Sequence, residues 1–186
     1  MPDPPPLTPS TGGMSIDTSA LTAGDVIVTT SRGVVAAAIE AVTSGPVSHV
    51  MVSVGDSQIV EAIRDGVREI TLTDALDGAT LAVAFRRTSI TSDAVDNTVA
   101  NLRSAVGDSY NYWGVIRELL TQFSGSTRQV PIATDSFYCS QLILTAFASS
   151  GFPLLASGNV TAWPTNIVPT DDFGDSLLEY VGHLIA

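Results

Sequence analysis

The chain has 186 residues, 45% apolar and 15% charged, which suffices for one domain with a core and is short for two. Nineteen acidic residues against eight basic ones, all arginine, give a formal charge of −11. That balance excludes nucleic acid as the main partner, because phosphate contacts need a basic face, and it disfavours docking on an anionic membrane. No run approaches the roughly 20 apolar residues of a transmembrane helix, so no stable membrane insertion is expected.

The start, Met1-Pro2-Asp3-Pro4-Pro5-Pro6, has neither the basic n-region nor the apolar h-region of a secretory signal, so the expected place of synthesis is the cytoplasm. Residues 1–15 read as a Pro-rich flexible tail and 16–186 as a single domain. After the turn residues Gly24-Asp25, Val26 to Thr30 reads as a first strand. Gly33 to Thr43 is Ala-rich and helix-compatible, and Ser44-Gly45-Pro46 stops it. His49 to Val54, Gln58 to Ile63 and Gly66 to Leu72 form a meander, with Gly55-Asp56 and Asp65-Gly66 as its turns. Ala79 to Arg86 reads as a fourth strand of that group. Ser92 to Val106 carries helical spacing at Val95, Val99, Leu102 and Val106. Tyr112 to Phe123 is a second helix and Gly125 to Ala133 a loop. Asp135 or Ser136 caps a helix to Ser149, which Gly151 and Pro153 end. Ser176 to Ile185 reads as a last short helix. The class is α+β, an antiparallel sheet packed against helices that lie mostly in the second half.

Three residues carry candidate chemistry. The one cysteine, Cys139, excludes an internal disulfide framework and a multi-Cys zinc site. It follows Ser136 by three residues, in the first turn of its helix, where the dipole favours a thiolate. The other reading is a buried structural thiol ahead of Leu142, Ile143 and Leu144. His49 opens a strand and can project toward a helix N-terminus, or it is a structural histidine. Glu61 interrupts the apolar run Ile59-Val60-Glu61-Ala62-Ile63, so it faces solvent or has a partner. Strand parity supplies a test. His49 and Glu61 share a face only if the hairpin loop is odd in length or carries a bulge. Cysteine, histidine and glutamate would then form a nucleophile, base and orienting acid.

Gly24-Asp25-Val26-Ile27, Ser48-His49-Val50, Val60-Glu61-Ala62 and Tyr138-Cys139-Ser140-Gln141-Leu142-Ile143 occur in that order. The set resembles the circularly permuted branch of the NlpC-type papain-like cysteine hydrolases, the YiiX-like group, in which the histidine strand precedes the cysteine helix. Tyr110-Asn111-Tyr112-Trp113 and Val168-Pro169-Thr170-Asp171-Asp172-Phe173 are similar to it as well. The likeness covers about residues 22 to 175, and Gln141 stands where the group often has glutamate. It implies a permuted papain-like fold with Cys139 as nucleophile, His49 as base and Glu61 as orienting acid. The backbone N–H of Cys139 is an oxyanion candidate, and Tyr138, Tyr110 and Ser48 are candidates for substrate or oxyanion contacts. No cofactor and no metal is implied. The implied substrate is a peptidoglycan stem peptide, cut by an endopeptidase or amidase. Without a leader, such an enzyme suits delivery by a secretion system of type VI as an antibacterial toxin, with an immunity protein as partner. The alternatives are an acyl-lipid hydrolase, acyltransferase or thioesterase on the same fold, and a non-catalytic binding module. Asp171 and Asp172 lack ligand spacing around them and read as a solvated turn, Asp25 reads as a structural turn residue, and Arg86-Arg87 is too short for a nucleic-acid patch.

Overall fold

A computed structural model of the chain describes residues 14–31, 47, 49–63, 65–107, 135–162, 164–169 and 175–184. The expected helices at Gly33–Thr43 and Tyr112–Phe123, and the loop between Gly125 and Ala133, lie outside them. The fold is α+β. The strands are β1 (Ser15–Ile16), β2 (Val26–Ser31), β3 (His49–Gly55), β4 (Gln58–Ile63), β5 (Gly66–Thr71), β6 (Ala79–Arg87) and β7 (Leu178–Leu184). They form one sheet in the order β1-β7-β6-β2-β3-β4-β5. All neighbours are antiparallel except β1 and β7, which run parallel. The helices are α1 (Leu72–Leu76), α2 (Ser92–Ser104), α3 (Asp135–Ser149) and α4 (Pro164–Ile167).

The central strands are apolar on both faces because both faces are covered. Val26, Val28, Val50, Val52, Val60 and Ala62 pack in one cluster with Leu142, Ile143 and Phe147 of α3. Ile27, Met51 and Ile59, of the opposite parity, join Leu72 and Leu76 of α1 in a second cluster. Thr71 and Thr91 cap α1 and α2 by accepting the N–H of Asp74 and Ala94.

The meander and α2 fall where the sequence predicts them, and three assignments change. Ala79–Arg87 is a strand, but it pairs with β2 and β7 rather than extending the meander. The cause is α1, which packs against β5 and β4 and carries the chain back across the sheet before β6 begins. Leu178–Leu184 is a strand, not a helix. Leu178, Gly182 and Leu184 are buried, Tyr180 and Val181 suit a pleated surface, and β6 supplies the partner edge. Ser15, assigned to the tail, already pairs with His183 of β7. That contact needs Gly182, where a Cβ would come within 2.5 Å of Ile16 Cγ2 and 2.8 Å of the Met14 carbonyl oxygen.

Candidate active site

The site begins with the β3–β4 hairpin. Gly55, Asp56 and Ser57 all have positive φ, the left-handed backbone that a tight hairpin turn requires. Gly55 pairs with Gln58, whereas Ser53 pairs with Ile59 and Val52 with Val60, so the register shifts by a bulge between Ser53 and Gly55. Counted back from Val52 and Val60, Met51 comes level with Glu61, and His49 lies two residues along the same face. The bulge is what places the histidine and the carboxylate together, and His49 Nε2 lies 2.6 Å from Glu61 Oε2.

The next hairpin supplies a residue that the sequence reading missed. Ile63 pairs with Gly66, which brings Arg68 directly opposite Glu61. Arg68 donates from Nε to Glu61 Oε1 at 2.8 Å, and its Nη2 lies 2.6 Å from the same oxygen. The sequence offers only part of the signal: counting outward from Asp65-Gly66 as the turn pair would set Ile70 opposite Glu61, and it is the observed pairing of Ile63 with Gly66 that brings Arg68 there.

Glu61 is buried and Arg68 is half-exposed. Burial alone would push the Glu61 carboxyl up. The His49 hydrogen bond and charge, with the Arg68 hydrogen bond and charge, outweigh it and hold the carboxyl below its ordinary value. His49 is the first residue of β3, and at that end of the sheet its ring meets both Glu61 and Cys139 of α3. Burial opposes its positive charge and is the largest single influence. The negative charge and hydrogen bond of Cys139, then the hydrogen bond and charge of Glu61, reverse it and raise the imidazole from 6.5 to about 10. With Nε2 engaged by the carboxylate, Nδ1 is the ring nitrogen left for the sulfur. The arrangement is a histidine held between a carboxylate and a thiol sulfur.

Cys139 is fully buried, and the His49 side chain keeps 23% exposure. Asp135 is itself the first residue of α3, so Cys139 is the fifth and begins the second turn rather than sitting in the first. Its N–H therefore falls level with the Asp135 carbonyl, in the intrahelical position, which removes it as a free oxyanion donor. Tyr138 precedes it in the helix. The Tyr138 side chain, Ser48, Tyr110, Asp171 and Asp172 lie outside the described residues. Asp25 is buried and takes both arms of Arg86, in keeping with the structural role expected of it.

No family model matches the chain. The chain is similar to the protein named "Probable lipoprotein peptidase YaeF" of Escherichia coli (strain K12), 25% identical over 192 residues that cover 87% of this chain and 70% of the relative. Its fold is similar to the crystal structure of metalloprotein yiiX from Escherichia coli O157:H7, with TM-score 0.57 and 16% identity over 86% of this chain and 96% of that one. Both likenesses support the resemblance to the YiiX-like group. The word metalloprotein is said of that molecule. Here Glu61 already spends one oxygen on Arg68 and the other on His49, and among the described residues no three His, Cys, Asp or Glu side chains gather where an ion could sit. This donor set does not fit a metal centre.

Proposed function

We propose that the chain is a cysteine hydrolase of the permuted NlpC-type papain-like kind, with Cys139 as nucleophile, His49 as base and Glu61 as orienting acid. The observation that carries the reading is His49 held between Glu61 at 2.6 Å and Cys139. A charged imidazole beside a negative sulfur is the resting state of an activated thiol.

In the mechanism, the Cys139 thiolate attacks a carbonyl carbon and forms the C–S bond. His49 passes its proton to the leaving nitrogen or oxygen as that bond breaks. His49 then takes a proton from water, whose oxygen attacks the thioester, and the thiolate returns as the acid departs. Glu61 accepts from Nε2 throughout and keeps Nδ1 on the reacting side. Tyr138, Tyr110 and Ser48 remain the proposed contacts to substrate or oxyanion.

The peptidase in the name of the Escherichia coli relative favours an amide over an ester. A peptidoglycan stem peptide is the substrate class to assay first. Purified protein is incubated with isolated sacculi and, separately, with phospholipid vesicles, alongside Cys139→Ala and His49→Ala. The expected result is release of amino groups from sacculi, abolished in Cys139→Ala and lowered about 10²–10⁴-fold in His49→Ala. Release of fatty acid instead moves the reading to a lipid acyl hydrolase. Turnover that survives in Cys139→Ala overturns it.

A further inference from the structure

Arg68 is placed to act on the site without touching the substrate. It stands across the β4–β5 ladder from Glu61, and both of its contacting nitrogens fall on Oε1. Among the described residues that leaves Oε2 to His49. At rest the carboxylate has two cationic neighbours, His49 and Arg68, so the arginine is one of two supports.

The balance changes once the thiol is acylated. The thioester sulfur carries no charge, and His49 has given up its proton to the leaving group. His49 must now be neutral to draw a proton from water. A buried Glu61 would then face a neutral ring, and a carboxylate in that position is costly unless another cation stays beside it. If it took up a proton, the Nε2–H would lose its acceptor. The ring could then turn or change tautomer, and Nδ1 would no longer be a fixed base. An arginine guanidinium is a permanent cation, and that of Arg68 is tied to the oxygen that His49 does not use.

Building on the hydrolase reading, we infer that Arg68 is the positioning residue of the deacylation half-reaction, holding Glu61 ionised and aimed at His49 when the thiolate charge is gone. The reaction needs no co-reactant but water.

The test separates the two halves with two small probes on the full chain. Iodoacetamide reads the Cys139–His49 pair at rest. 4-Nitrophenyl acetate acylates Cys139 with a leaving group that needs no proton, and mass spectrometry follows loss of the acetyl group. In Arg68→Gln, alkylation is expected to stay within about threefold of wild type while the acetyl-enzyme lives about 10–100-fold longer. The acid side of the deacylation profile is expected to move to higher pH, because removing a positive charge makes the His49–Glu61 pair hold a proton more tightly. Arg68→Lys keeps the charge and loses the fork, and is expected to recover part of the rate. If Arg68→Gln does not fold, Arg68→Lys is compared with wild type by the same two readouts. An unchanged acetyl lifetime and profile overturn the inference. So does a parallel loss in both probes with no recovery by lysine, which marks a merely structural arginine. A wild-type Cys139 that is alkylated yet never acetylated overturns the hydrolase reading itself, and the inference with it.

Discussion

Two buried carboxylates in this molecule are each held by an arginine, and they are built differently. Asp25, at the entry to β2, is closed. Arg86 Nε donates to Oδ1 and Nη2 to Oδ2, both at 2.7 Å, and the Thr22 N–H adds a bond to Oδ2 at 2.8 Å. This bidentate fork ties β6 to the turn before β2 and leaves no oxygen for anything that moves. Glu61 is open. Arg68 crowds onto one oxygen, and the second serves a histidine that in turn faces a thiol. An arginine–carboxylate pair is thus not informative by its presence. On the proposed reading, what separates a structural knot from a working group is whether the arginine leaves an oxygen free for a titrating partner.

The largest expected effect tests that distinction directly. Glu61→Gln keeps the size and removes the charge, and the amide can present a donor where Nε2–H needs an acceptor. Activity is expected to fall about 10²–10⁴-fold with the protein still folded. Asp25→Asn, the matching change in the closed pair, is expected to leave activity per folded molecule unchanged. Full activity in Glu61→Gln would erase the functional half of the contrast.

Stability is expected to show the reverse order. Arg86→Met leaves a fully buried carboxylate with, among the described residues, the Thr22 bonds, and is expected to cost about 3–5 kcal/mol in urea unfolding. Arg68→Met leaves Glu61 with the His49 cation and is expected to cost less. If the two arginine variants unfold at the same urea concentration, the open pair is as structural as the closed one.

Much of this was legible in the sequence, for local reasons. Turn residues at Gly55-Asp56 and Asp65-Gly66 frame the meander, and strand parity turned the His49–Glu61 pairing into a yes-or-no question about a bulge. The bulge itself is set by backbone geometry at Gly55 to Ser57, which composition does not announce. Arg68 was only partly within reach, because its partner depends on which two residues close the turn, and Asp65-Gly66 as that pair would set Ile70 opposite Glu61. The place of β6 was not. Strand neighbours far apart in sequence depend on where α1 carries the chain, and that is decided by Leu72 and Leu76 packing on the sheet. The fate of Leu178–Leu184 was equally non-local. Its short apolar run fits helix or strand, and the open edge of β6 chooses.

The smallest expected effect is a pH dependence of stability that belongs to one carboxylate's surroundings and not the other's. Native His49 is raised from 6.5 to about 10, so the stability it contributes is fully present below pH 6.5 and is lost as pH rises toward 10. Native Glu61 is lowered from 4.5, so its contribution is present above pH 4.5 and is lost as pH falls through the native value. The site therefore favours folding most between about pH 4.5 and 6.5. The chain has no lysine, and because the ordinary thiol value of about 8.5 falls inside this limb, every variant compared keeps Cys139. Melting temperature is expected to decline over this range in wild type and in Asp25→Asn, and to decline much less in His49→Gln. Equal slopes in all three would mean that the imidazole is not held charged between Glu61 and Cys139. The open carboxylate would then be a second structural knot.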